Sequence, residues 1–251
     1  LINRSAEQKQ VLSALSAYGS EKALNVAITA MENPELKAEA EVAVVSICSK
    51  IGFGLTSLKA KTALQKIMDA SANNSLREQA RRIYRELDKK AGYILEWEIS
   101  GPYMEPQKTA DDLYDIKFVP ETQTGSVTWK PMPKSDNPDQ FWLVNIGKLL
   151  SGNNRVAYLR TNLVSEAPID AVFEVGSDDG VLIWLDGKLI HTKREVRSVT
   201  PASDKVNVSL KKGDNPVLVK VVQGSGEWGF CLRVVTPDGK PVNIEAITGS
   251  K

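Results

Sequence analysis

The chain has 251 residues, 42% of them hydrophobic and 25% charged, which is the composition of folded globular protein and excludes a disordered chain. Lys and Arg number 32 against 31 Asp and Glu, so no overall field draws in nucleic acid, anionic lipid or acidic substrates. No apolar run reaches the ~20 residues of a membrane span, and no basic, apolar and small-residue succession of a signal peptide opens the chain.

The first residue is Leu1, from which a processed product or a piece of a longer protein is expected. The length allows two domains, and composition places their boundary. All five tryptophans (Trp97, Trp129, Trp142, Trp184, Trp228) follow residue 91, whereas the first ninety residues hold only Tyr18, Phe53 and Tyr84 as aromatics. Alanine and leucine dominate early, β-branched and aromatic residues late, so a helical domain over 1–91 and a β domain over 92–251 are predicted. Lys90-Ala91-Gly92 is too short for a flexible linker, and one rigid unit is the expectation. Cys48 falls in a helical pattern and Cys231 in a strand pattern, which reads as two buried free thiols.

In the first part apolar residues recur at helical spacing and predict five helices, around Val11–Leu15, Leu24–Met31, Leu36–Ile51, Leu64–Met68 and Leu76–Leu87. Ser5-x-x-Gln8 and Ser75-x-x-Glu78 read as capping boxes, and Asn33-Pro34 as an N-cap followed by proline. Beneath this pattern Ala23-Leu24 recurs as Ala63-Leu64, Ala30 as Ala70, Leu36 as Leu76, Ala40 as Ala80 and Ile47 as Leu87. The constant offset and the small residues resemble HEAT repeats, whose period is roughly 40 to 47 residues. That resemblance implies a short helical stack with a protein-binding groove. Arg77, Arg81, Arg82, Arg85, Lys89 and Lys90 make the last helix basic, but Glu78, Glu86 and Asp88 are interleaved, so a solvated helix is expected and no nucleic acid partner.

The second part reads as eleven short strands: 93–99, 116–119, 126–130, 141–146, 155–164, 169–175, 181–185, 206–210, 217–222, 230–235 and 242–247. Turn formers at 211–214 and 237–240 separate them. Strands without intervening helices predict an antiparallel β-sandwich or jelly roll. Asp186-Gly187 between apolar runs signals a tight hairpin, and Asp214-Asn215-Pro216 puts proline at a strand start, which suggests an edge.

Trp97-Glu98-Ile99-Ser100-Gly101-Pro102-Tyr103, Arg155-Val156-Ala157-Tyr158-Leu159, Gly176-Ser177-Asp178-Asp179-Gly180, Trp184-Leu185-Asp186-Gly187-Lys188 and Gly226-Glu227-Trp228-Gly229-Phe230 resemble the galactose-binding-like jelly rolls that accompany bacterial glycoside hydrolases. The likeness covers about 92–247, with Asp186 standing where the turn often has asparagine. It implies a carbohydrate or glycan partner and an exported, periplasmic or cell-surface setting.

Asp178 and Asp179 are the leading ligand candidates, because vicinal carboxylates in a loop offer hard oxygens to calcium, which can bridge to sugar hydroxyls. The commoner reading of such a pair is as turn residues that accept backbone N–H groups at a strand entrance. Trp228, beside Glu227 among glycines at a hairpin tip, is either a platform for a sugar ring or a core indole under its own loop. The six residues 224–229 match G-x-G-x-x-G but stand between strands, so a dinucleotide site is excluded. Trp97 and Trp184, inside apolar strands, are expected in the core. His191 is the only histidine, expected solvated after the hairpin, and supports neither a histidine metal cluster nor a nucleophile pair. No carboxylate spacing argues for an acid/base pair. The sequence therefore points to a non-catalytic carbohydrate-binding or assembly module. An accessory region of a glycoside hydrolase with its catalytic domain upstream, and a structural adaptor, are the alternatives.

Overall fold

A computed structural model describes residues 5–51, 55–122, 124–242 and 244–249. Leu1, Phe53 and Asn243, on which expectations above fall, lie outside the described residues. Contacts divide the chain into two compact units, Leu1–Ala91 and Gly92–Lys251.

The first unit consists of helices α1 (Ser5–Leu15), α2 (Glu21–Ala30), α3 (Lys37–Cys48), α4 (Leu55–Ala70) and α5 (Asn74–Lys89). Its core is where the repeated positions lie: Ala23 and Ala63, Leu24 and Leu64, Leu36 and Leu76, Ala40 and Ala80, Ile47 and Leu87 are all buried. Alanines at these contacts let neighbouring backbones approach closely. The Ala30 and Ala70 pair diverges, since Ala30 is half-buried and Ala70 exposed.

Two helix starts differ from expectation. The cap of α5 is Asn73, whose Oδ1 accepts the Leu76 N–H at 3.1 Å, and Ser75 lies one residue inside the helix. Asn33 spends its Oδ1 on the Glu35 N–H at 3.0 Å and so closes a turn, and α3 begins only at Lys37. Of the acids interleaved on α5, Glu78 pairs with Arg81, and Asp88 with Lys61 of α4.

The second unit is a β-sandwich of two antiparallel sheets. The strands are β1 (Glu98–Tyr103), β2 (Lys130–Pro131), β3 (Val144–Asn145), β4 (Arg155–Ser165), β5 (Ile169–Asp178), β6 (Gly180–Leu185), β7 (Lys188–Lys193), β8 (Asp204–Leu210), β9 (Gly213–Gln223), β10 (Gly229–Val235) and β11 (Glu245–Ile247). The larger sheet runs β2-β1-β4-β9-β6-β7 with β11 also on β4, and the smaller β3-β10-β5-β8. Alternation builds the core between them. Leu159, Val219 and Ile183 from one sheet and Phe173, Val208, Phe230 and Leu232 from the other belong to one apolar cluster. Trp97 joins it as expected, edge-on to Phe230 with centroids 5.5 Å apart and its indole N–H donating to the Ile94 carbonyl at 2.9 Å.

Several predicted strands are shorter or absent. Residues 93–97 precede β1, which continues through Ser100-Gly101-Pro102-Tyr103 with a register shift. In place of a strand at 116–119, the segment between β1 and β2 carries the short helices α6 (Ala110–Leu113) and α7 (Val119–Thr122). Apolar residues there cover a sheet face instead of alternating within a sheet: Leu113, Tyr114, Ile116 and Phe118 pack on Val156, Tyr158, Leu182 and Val222. Of 126–130 only Lys130 forms strand, continuing into Pro131, and of 141–146 only Val144–Asn145.

Pro216 is not on an edge strand, because β9 lies between β4 and β6. Its carbonyl accepts the Asp186 N–H at 2.9 Å in the β6–β7 turn. In an antiparallel strand the missing N–H points the same way, to where β6 has already ended at Leu185, so no ladder bond is lost. The predicted hairpin is present: Asp186 and Gly187 take φ of 51° and 74° between Leu185 and its partner Lys188.

Candidate functional site

Asp178 ends β5 in the smaller sheet, where it pairs with Gly229, and Gly180 opens β6 in the larger, where it pairs with Val222. Asp178 and Asp179 therefore occupy the point at which the chain passes from one sheet to the other, joined by a cis peptide bond. Both are 5% exposed. The Asp179 carboxylate accepts the Gly224 N–H at 2.8 Å and the Arg197 N–H at 3.1 Å, which ties the 194–200 segment and the β9–β10 loop to the junction. Its own carbonyl accepts the Ser177 hydroxyl at 2.8 Å.

Burial raises the Asp178 carboxyl from 3.8 to about 6; the charges of Asp179 and Glu227 add to the rise, and a backbone hydrogen bond from Val199 opposes it. Among the described residues neither aspartate has an ion-pair partner. Nearby charge is neutralised elsewhere. The Arg197 guanidinium reaches Ser177 Oγ at 2.7 Å and both Asp204 oxygens at 2.6 and 3.1 Å. His191 is a correction: it stands within β7, 3.2 Å from Asp204 Oδ2, and is not a solvated residue past the hairpin. Burial works against the charged form of Asp204, but the bonds from Arg197 and His191 outweigh it and hold the carboxyl below its ordinary value.

Trp228 is the second correction. The residue is 3% exposed and belongs to the core between the sheets, and its backbone carbonyl accepts the Gly147 N–H at 3.0 Å. Counting by twos along β10 gives the reason, since Trp228 shares its face with Phe230, Leu232 and Val234, all core residues. Glu227 beside it is exposed, and its charge reaches Asp178. Trp184, expected in the core, is half-buried and packs on the opposite, outer face of its sheet.

For a hard cation, the junction offers carboxylate oxygens of the right kind. Gln223 adds an amide whose Nε2 donates to the Gly226 carbonyl at 3.1 Å while Oε1 stays buried without a partner. Both Asp179 oxygens are already engaged by N–H groups, and among the described residues no three His, Cys, Asp or Glu side chains are grouped to hold a metal ion. The helical unit holds a separate recess of about 640 Å³, lined by Val11, Leu12, Val26, Ala30 and Leu36 with polar Asn25 and Asn33. Among the described residues no helix is long and apolar enough to cross a membrane.

Arg197 and Gly224 escape sequence reasoning because an irregular segment and a loop, 18 and 45 residues along the chain, bring them to Asp179. No protein-family model and no curated protein sequence matches the chain. Solved structures with partial likeness include a β-glucosidase from Kluyveromyces marxianus, 17% identical over 56% of this chain with a TM-score of 0.35. The epithelial adhesin 9 A domain from Candida glabrata, in complex with Galβ1-3GlcNAc, is 9% identical over 61% of this chain and 86% of its own, with a TM-score of 0.37. The PA14 domain of the MpAFP antifreeze protein is 14% identical over 62% of this chain and 91% of its own, with a TM-score of 0.39. The chain spans 16% of the β-glucosidase's length.

Proposed function

We propose that the β unit is a non-catalytic carbohydrate-binding module of a larger, exported glycan-handling protein, and that Asp178 and Asp179 anchor its ligand. The observation that carries this reading is the buried pair of like charges at the sheet junction, with Asp178 raised to about 6 and neither carboxylate ion-paired among the described residues. Asp179 has two N–H donors, but Asp178, desolvated beside a like charge, opposes folding, so its presence calls for a ligand that satisfies it. Sugar hydroxyls donate to carboxylates. Calcium is the metal whose chemistry suits these oxygens; Asp178, with the lone pairs that Asp179 keeps beyond its two N–H bonds, would hold it together with ligand and water oxygens, and it would supply a bridge to vicinal hydroxyls. Exposed Glu227 lies on the solvent side of the same region.

With Trp228 in the core, no stacking contribution comes from that indole, and the affinity expected is millimolar, or ~4 kcal/mol. Glycan-array binding and NMR titration of the whole chain, with calcium and with EDTA, test the proposal. Asp178→Asn and Asp179→Asn should each weaken oligosaccharide binding at least tenfold in folded protein. Binding untouched by both changes would remove the pair from the site. Turnover of a glycoside that disappeared on mutating a carboxylate of this chain would overturn the non-catalytic assignment.

The apolar recess of the helical unit favours a second reading for that unit alone, a seat for an apolar protein segment. Val26→Glu within the recess should then abolish co-purification of the partner without altering glycan binding.

A further inference from the structure

Lys220 points outward from β9, an interior strand of the larger sheet, yet it is 0% exposed because the segment holding α6 and α7 lies across it. Its ammonium donates to the Ile116 carbonyl at 2.7 Å, to Glu121 Oε1 at 2.9 Å and to the Tyr114 carbonyl at 3.3 Å. The Tyr158 hydroxyl donates to the same Glu121 oxygen. The rings of Phe118 and Tyr158 stand 5.7 and 5.9 Å from the nitrogen. One buried cation thus fastens three points of the covering segment to the sheet.

The same segment touches both ends of the candidate site. Tyr114 Oη sits against Gly180, the residue after Asp179, so closely that a Cβ there would lie 1.7 Å from the oxygen. Ala110 donates its N–H to Asn154 Oδ1 at 3.0 Å, and the Asn154 N–H donates to the carbonyl of Gly224, whose own N–H holds Asp179. We propose that Lys220 is a positioning residue for the Asp178–Asp179 site: by holding the Tyr114 and Ile116 carbonyls it presses Tyr114 against Gly180 and fixes the Asp179 carboxylate toward Gly224 and Arg197. The inference rests on the reading of that pair as the ligand site.

Its test is made on the whole chain with Lys220→Met, with Gly180→Ala, which pushes Tyr114 away from the other side, and with the double variant. Amide exchange at Gly224 and Arg197 is followed by NMR where rates do not depend on denaturant, so that local opening is read and not global stability. Binding of calcium chloride is titrated in parallel. Each single variant should speed exchange of both amides about tenfold and weaken calcium binding about tenfold. The double variant should exceed the worse single one by little, since both changes act through one contact. Unchanged exchange in folded Lys220→Met, or additive effects, would overturn the proposal. Should Lys220→Met fail to fold, Glu121→Gln, which keeps the volume and removes the charge, takes its place with the same readouts. Absence of calcium and glycan binding by the unmodified chain would sink the ligand site, while the exchange rates still decide whether Lys220 positions the pair.

Discussion

On the outer face of the larger sheet a buried cation, Lys220, has Glu121, two backbone carbonyls and two aromatic rings around it. At the junction between the sheets two carboxylates, Asp178 and Asp179, lie side by side with backbone N–H groups for company. Both clusters are withdrawn from water, so both meet a desolvation cost. In the first, opposite charges offset that cost, and removal of either partner strands the other. In the second, repulsion adds to it, and neutralising Asp178, which ties no loop as Asp179 does, brings relief. The sign of a mutation's effect on stability therefore separates a cluster that serves the fold from one retained for a ligand.

The largest effect that sharpens this contrast is Lys220→Ala, which leaves Glu121 buried and unpaired. Urea unfolding should show a loss of about 3–5 kcal/mol. A loss near zero would mean that water reaches Glu121 and that the cluster is not a fastening. Next comes Trp228→Ala, one residue from Glu227 and yet on the core side of the contrast. The cavity should cost about 3 kcal/mol. An unchanged melting temperature, accompanied by loss of glycan binding, would return the indole to the ligand surface.

Different distances of interaction account for what could be read in advance. The Asp186-Gly187 hairpin is written in two residues whose φ values only a tight turn requires, and it was legible. The alternation of β8, with Val206, Val208 and Leu210 facing inward, is equally local. Trp228 was legible too, had its period with Phe230 and Leu232 been weighed above the glycines around it. Lys220 was not. A lysine in a strand reads as solvent-facing, and it becomes buried only because a segment about a hundred residues earlier folds over it. The same holds for the site. The dipeptide Asp178-Asp179 stands out in the sequence, whereas its partners Arg197 and Gly224 come from an irregular segment and a loop that no periodicity marks. His191 on β7 meets Asp204 on β8 from a different sheet, a contact that no strand pattern marks.

The smallest effect is also the one with the unusual sign. The Asp178 carboxyl titrates at about 6 in the folded protein against an ordinary 3.8, so between these values the folded state binds the extra proton. Its contribution to stability is therefore full below pH 3.8 and is lost as pH rises through 6, opposite to an ion-paired aspartate. Asp178→Asn imitates the protonated form at every pH. Thermal unfolding from pH 4 to 8 should show the variant level with the unmodified chain at pH 4 and more stable by about 1 kcal/mol at pH 8, after allowance for solvent screening. If calcium is the ligand, adding it should narrow the gap at pH 8 by stabilising the unmodified chain alone, and EDTA should restore it. A variant less stable than its parent at pH 8 would show that Asp178 serves the fold as Lys220 does, and the contrast between the two clusters would disappear.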